Sequence, residues 1–177
     1  MLGVGLFDFK RQYVSYAEYH VNPVNKAIHT VFVPTLLWTA FVMTAVKNPQ
    51  VMWSVAGGYA AYYTILHPVI GGSAALATLA GAYGAMEFVK HGLEWTGVEP
   101  FNFALGLHIS SWLIQFVGHA IEGRAPAFLD NVFQPIVLAP FFVWSHGLFD
   151  LGLYKNLSKE LDAETAKKVA AFRAKKE

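Results

Sequence analysis

Five stretches of the chain are long, apolar and free of charged residues: 28–46, 51–70, 74–86, 101–121 and 132–149. None alternates apolar and polar residues with the period of two that marks a half-buried strand. A helix needs about 20 apolar residues to cross the hydrocarbon core of a bilayer. The first, second and fourth stretches meet that length, the third is short and rich in Gly and Ala, and the fifth carries Pro135 and Pro140. The competing reading, buried helices of a large soluble domain, fails on size. A chain of 177 residues has too little interior to hide this many helices that are apolar all round. The pattern predicts an all-α protein, a multi-pass transmembrane helical bundle.

Charge sets the expected topology. Lys10, Arg11 and Lys26 precede the first stretch, and Lys155, Lys159, Lys167, Lys168, Arg173, Lys175 and Lys176 follow the last. The segments between hold only Lys47, Lys90 and Arg124. The positive-inside rule then puts both termini in the cytoplasm, which requires an even number of crossings. We expect about four crossings plus one re-entrant or interfacial segment. The fifth stretch fits that part through its prolines, with the third as the alternative. Residues 1–155 form one membrane-embedded domain, and 156–177 read as a basic amphipathic cytoplasmic tail. Asn22-Pro23 has the form of an N-cap followed by Pro at N1. Pro34 is expected to kink the first helix. His67-Pro68 with Gly71-Gly72 reads as a tight turn, with a structural role for His67.

Composition narrows the chemistry. Hydrophobic residues make up 55% and charged residues 14%, against about 25% charged in soluble domains. There is no cysteine, so disulfides and thiolate chemistry are excluded and any metal must take N or O ligands. A net charge of +1 gives no footing for nucleic acid. Residues 1–10 do not have the order of charges of a signal peptide. There is no phosphate loop, no nucleophile elbow and no H-E-x-x-H. The histidine boxes of membrane hydroxylases are missing too, since no two of the seven histidines are adjacent.

What remains is a set of polar residues at helical spacing inside apolar sequence. His108, Ser111, Gln115, His119 and Glu122 recur every three or four residues and so share a helix face. Polar groups in a membrane helix are costly and usually face a site, although Ser111 is read as simple helix–helix glue. Tyr16 and His20, and again Asn25 and His29, are four apart. With the first four stretches crossing, His29 and His119 meet at one face of the membrane. Imidazoles converging without thiolates suit Fe(II), Zn or Mn. Glu87, His91 and Glu94 share a face at the opposite side and read as a solvated helix end. His146 is a candidate further ligand.

The segment Tyr19-His20-Val21-Asn22-Pro23-Val24-Asn25-Lys26-Ala27-Ile28-His29, followed by Phe32-Val33-Pro34, resembles the opening motif of the Mpo1-like family. Residues Trp112 to His119 with Glu122 to Asn131, and Leu138 to Phe142, resemble its second and third motifs, in order along nearly the whole chain. The resemblance implies an endoplasmic-reticulum membrane protein, an Fe(II)-dependent dioxygenase of fatty-acid α-oxidation in phytosphingosine degradation. A 2-hydroxy long-chain fatty acid and O2 would give the acid one carbon shorter and CO2. It implies His20, His29 and His119 as iron ligands, to which the helical face adds His108. Tyr16, Asn25, Gln115 and Glu122 are candidates for the catalytic surroundings, and Arg124 and Lys26 for the substrate carboxylate. Two departures from the family pattern stand out. Glu122 follows His119 by three residues where the family has four, which is expected to rotate it or to distort the helix end. His146 stands where the family has a Glu. The alternatives are a non-catalytic lipid-binding or structural membrane protein of the same fold, and a Zn-dependent lipid hydrolase or lyase.

Overall fold

The computed structural model describes residues 5–126, 132 and 134–174, except for the side chains of residues 134 and 135. Residues 127–131 of the second motif, and Lys175 and Lys176 of the basic tail, lie outside the described residues. Among the described residues seven α-helices follow one another: α1 (Phe9–Ala17), α2 (Pro23–Lys47), α3 (Pro49–Leu66), α4 (Pro68–Thr96), α5 (Pro100–Glu122), α6 (Ala139–Asp150) and α7 (Lys155–Arg173). A π-helical turn, Gln134–Leu138, leads into α6. No strand occurs among the described residues.

Proline sets the helix starts. Pro23, Pro49, Pro68 and Pro100 each open a helix, where the missing N–H would have had no partner and the fixed φ is already helical. Asn22 and Asn48 cap the new helices by accepting from Val24 N (2.8 Å) and from Gln50 N and Val51 N. His67 does the same through Nδ1, which accepts from Ile70 N at 3.2 Å. Asn48 and His67 are the sole, extended links between α2, α3 and α4. Gly71 and Gly72, expected in that turn, are instead inside α4. Gly71 is needed there, because a Cβ would come within 1.7 Å of the Tyr63 carbonyl oxygen.

Among the described residues α2, α4 and α5 are long and apolar enough to cross a membrane. Only 28%, 39% and 28% of their apolar windows is buried in the protein, so most of that surface faces outward, as lipid-facing helices require. This is a helical membrane bundle. The expected four crossings are thus met by three qualifying helices. α3, the second stretch, has 18 residues, and Gln50, Tyr59, Tyr62 and Tyr63 dilute its apolar character. The third stretch is no short segment: it is the middle of α4, the longest helix at 29 residues. It continues through Glu87, His91 and Glu94, which pair with one another and with Lys90 at its exposed end.

α2 lies along α5 and α3 along α4. One core, built on Phe41, Val42, Met52, Ala82, Ala85 and Ala104, fills the bundle between α2, α3, α4 and α5. A second, aromatic core of Phe9, Tyr13, Tyr16, Tyr63, Phe141 and Phe142 ties α1 and α6 to the bundle. α7 is not a free tail. It docks on α1 through fully buried Leu161 and the Lys10–Glu160 ion pair.

The two neighbouring glycines give a test of the α3–α4 contact. Gly71→Ala should cost about 3 kcal/mol by overpacking, a fall in melting temperature of roughly 6–12 °C. Gly72→Ala, with open space around the added Cβ, should leave it unchanged or slightly raised. Equal melting temperatures for both variants in detergent would contradict the packing.

Candidate metal centre

α1 ends at Ala17, and a turn held by Tyr19 N to Tyr16 O and His20 N to Ala17 O carries the chain to the Asn22 cap of α2. This places His20 against His29, in the second turn of α2, and against His119, in the last turn of α5. The three ring centroids are 4.4, 5.0 and 4.9 Å apart. All three residues are buried, and each offers a nitrogen within 4.8 Å of the others.

Hydrogen bonds fix two of the rings. His20 Nδ1 lies 3.0 Å from Tyr16 O, and His29 Nδ1 lies 3.0 Å from Asn25 O. A carbonyl oxygen only accepts, so both Nδ1 atoms carry the proton and both Nε2 atoms keep a lone pair. Tyr16 also stacks on His20 at 12° between planes. Burial, and next the His29 imidazole, holds His20 well below the ordinary histidine pKa, so its ring is neutral. His20 Nε2 and His119 Nδ1 are buried with no partner among the described residues. A buried polar atom left unpaired costs about 1–3 kcal/mol. The orphaned nitrogens and the three-imidazole donor set, without thiolate or carboxylate, fit a divalent first-row metal ion with open positions. The Tyr16 and Asn25 carbonyls are then the outer groups that orient its ligands.

The other candidates are placed differently. His108 is not part of the cluster. Its Nδ1 lies 2.8 Å from Thr39 Oγ1, and its Nε2 accepts from Trp112 Nε1 at 3.2 Å, so neither nitrogen is free for a metal. His146 pairs with Asp150 at 3.4 Å. The Phe142 ring, 5.8 Å from each, stands between it and His20. Glu122 is engaged by the α1–α2 turn. Its carboxylate accepts from Val21 N (3.2 Å), Asn22 N (2.8 Å) and Asn25 Nδ2 (3.1 Å). It clamps the end of α5 to the start of α2. Asn25 is fully buried beside it, and Gly118 leaves the necessary room, since a Cβ there would lie 2.4 Å from Asn25 Oδ1. Arg124 is equally committed. It donates to Glu18 O at 2.6 Å and lies between the rings of Tyr19 and Phe172, while lining a shallow pocket together with His119. Lys26 lines a separate cleft of about 490 Å³ beneath α7 that shares only His20 with the histidine cavity.

That histidine cavity, about 300 Å³, runs between α2 and α5. Tyr16 and Gln115 stand in its wall near the cluster, and Val33, Leu36, Leu37, Ala40, Trp112 and Phe116 line it further on. Gln115 is anchored by donating to Ser111 O at 3.3 Å. Sequence periodicity alone missed Thr39, Trp112 and Phe142, whose partners lie on other helices or look like ordinary core.

A buried imidazole cluster closing one end of an apolar cavity is the context in which relatives become informative. The model of the family described as 2-hydroxy-palmitic acid dioxygenase Mpo1-like matches residues 6–151. The chain belongs to the Mpo1-like family. It is 34% identical over 174 residues to the 2-hydroxy-palmitic acid dioxygenase MPO1 of Saccharomyces cerevisiae, an alignment covering 91% of each chain. No solved structure matches it significantly. The matched span of the Mpo1-like family contains all three clustered histidines.

Two outcomes follow. His20→Ala, His29→Ala and His119→Ala should each lower metal bound to the purified protein at least about tenfold, while His108→Leu keeps it; elemental analysis reads this directly. Glu122→Ala, which strips three donors of a charged partner, should destabilise the protein by about 2–3 kcal/mol and weaken metal binding with it. Unchanged melting and unchanged metal content would refute the clamp.

Proposed function

We propose that this protein is an Fe(II)-dependent dioxygenase of fatty-acid α-oxidation. It acts on a 2-hydroxy long-chain fatty acid and O2, in the endoplasmic-reticulum membrane with both termini cytoplasmic, as a step of phytosphingosine degradation. The observation that carries the reading is the cluster of three buried imidazoles at the end of an apolar cavity. It is supported by the yeast relative's name, that of a 2-hydroxy-palmitic acid dioxygenase.

The balanced reaction is RCH(OH)COOH + O2 → RCOOH + CO2 + H2O. The C1–C2 bond breaks, C2 rises to the carboxyl level, and O2 is the oxidant. When bound, the iron supplies the redox chemistry and open coordination positions that a chelating carboxylate and hydroxyl can reach. His20, His29 and His119 would hold it. The carbonyls of Tyr16 and Asn25 keep the two Nδ1–H groups turned away from it. The Tyr16 ring fixes the plane of His20, and burial keeps the Tyr16 phenol protonated by raising its pKa. The Gln115 side chain stands in the cavity wall for a hydrogen bond to the substrate's polar end. The apolar lining keeps water from the reacting carbons. Lys26 draws the acid toward this face of the membrane through its long-range field.

The test is oxygen uptake by detergent-purified protein reconstituted with Fe(II) and given 2-hydroxypalmitate. Uptake that yields pentadecanoate and is lost in His119→Ala is expected. No uptake despite one iron bound per chain would overturn the reaction, and absence of any bound metal would favour a lipid-binding role.

A further inference from the structure

We infer that the cavity between α2 and α5 is a molecular ruler, which holds the substrate's acyl chain parallel to the membrane lipids and stops it at His108, Thr39 and Trp112. This rests on the reading of the substrate as a 2-hydroxy fatty acid. The two helices run antiparallel, and cavity-lining residues extend from His29 to Ala40 on one and from His119 back to His108 on the other. Each run advances eleven residue steps, about 16 Å at 1.5 Å per residue. A bilayer core about 30 Å thick is two acyl chains deep, so one chain of membrane-lipid length takes up about 15 Å of it. The cavity is therefore as long as one such chain. Its metal end lies where α2 begins and α5 ends, level with the lipid head groups, where the acid's polar end is best placed.

The far end is closed in two ways. Beyond it, Phe41, Val42 and Ala104 are packed solid. At it, a directed set of hydrogen bonds fixes the floor. Trp112 Nε1 donates to His108 Nε2, so the ring proton sits on Nδ1 and goes to Thr39 Oγ1, whose hydroxyl in turn donates to the carbonyls of Thr35 and Leu36. Every ring nitrogen is used, so the floor is rigid and offers a methyl end nothing to displace. Ala40, the small residue beside it, leaves the last of the space.

Two measurements test this. In the first, turnover and binding are followed for saturated 2-hydroxy acids of ten to twenty-four carbons. Ala40→Leu and Ala40→Phe should lower the preferred length step by step, with the sixteen- to ten-carbon ratio of kcat/KM falling at least about tenfold for Phe. Trp112→Ala should raise the preferred length. Bound metal, read alongside, shows that each variant is folded. An unmoved length profile in folded variants overturns the ruler. In the second, fatty acids brominated at the methyl end or beside the carboxylate are added to the metal-loaded protein and tryptophan fluorescence is recorded. Quenching by the methyl-end bromine that disappears in Trp112→Phe is expected. Quenching instead of Trp38 or Trp144, which line the groove between α2, α4 and α6, would place the chain there and overturn the proposal. The bromine measurement needs binding alone. Loss of oxygen uptake with the Trp112 signal intact would thus count against the proposed reaction and not against the ruler.

Discussion

The start of α2 is held against the end of α5 by one carboxylate, and the candidate site depends on that junction. Glu122 takes the backbone N–H groups of Val21 and Asn22 and the Asn25 amide. It thereby satisfies donors that a helix start leaves open and adds a negative charge where the helix dipole favours one. The interaction is local in space but joins residues about a hundred positions apart. It fixes the register of two long helices, and with it the approach of His29 to His119. Gly118 is part of the same constraint, because any side chain there would occupy the place of Asn25. Arg124, one residue past the cap Gly123, extends the clamp to Glu18 and to the aromatic rings of Tyr19 and Phe172, so α1 and α7 are tied to it as well.

Backbone carbonyls near the ends of α1 and α2 decide the protonation of two imidazoles. His20 and His29 each reach back four residues to a carbonyl oxygen, and each is left with Nε2 as a base. A metal that needs neutral nitrogen donors would meet rings already oriented. The same logic applied to His108 gives the opposite result. Its neighbours Trp112 and Thr39 use both nitrogens, and the ring becomes structure.

These two histidines show what the sequence reveals and what it hides. Periodicity put His108, Gln115 and His119 on one face, and the structure keeps them on one wall of one cavity. Which of them faces the centre depends on what the other helices bring. The α1–α2 turn delivers His20 and His29 to the His119 end, whereas Thr39 arrives opposite His108, and neither event is encoded in α5. The caps Asn22 and Pro23 are legible because capping is a local interaction. The extent of α4 was misjudged because charged residues at its far end hide a helix that the apolar pattern stops at Met86. α7 reads as a solvated tail because acidic and basic residues alternate with small apolar ones along it, and the fully buried Leu161 is what docks it on the core. The purpose of Glu122 is not legible in the sequence, since two of its three partners are main-chain groups with no sequence signature.

An enzyme that handles a long amphiphile in a membrane must bind a substrate whose tail is as soluble in lipid as in protein. Burying the tail therefore gives little net gain, because the lipid is as apolar as the cavity. What the cavity can add is alignment, by holding the polar end where the reacting carbons meet the metal ligands. A closed floor contributes to this from the far end. If the tail is stopped by the rigid His108–Trp112–Thr39 array, the position of the head follows from the chain length, and a chain too long for the space would keep its carboxylate short of the histidines. The hydrogen-bonded histidine that cannot bind the metal would then still affect the chemistry, by setting where the substrate comes to rest.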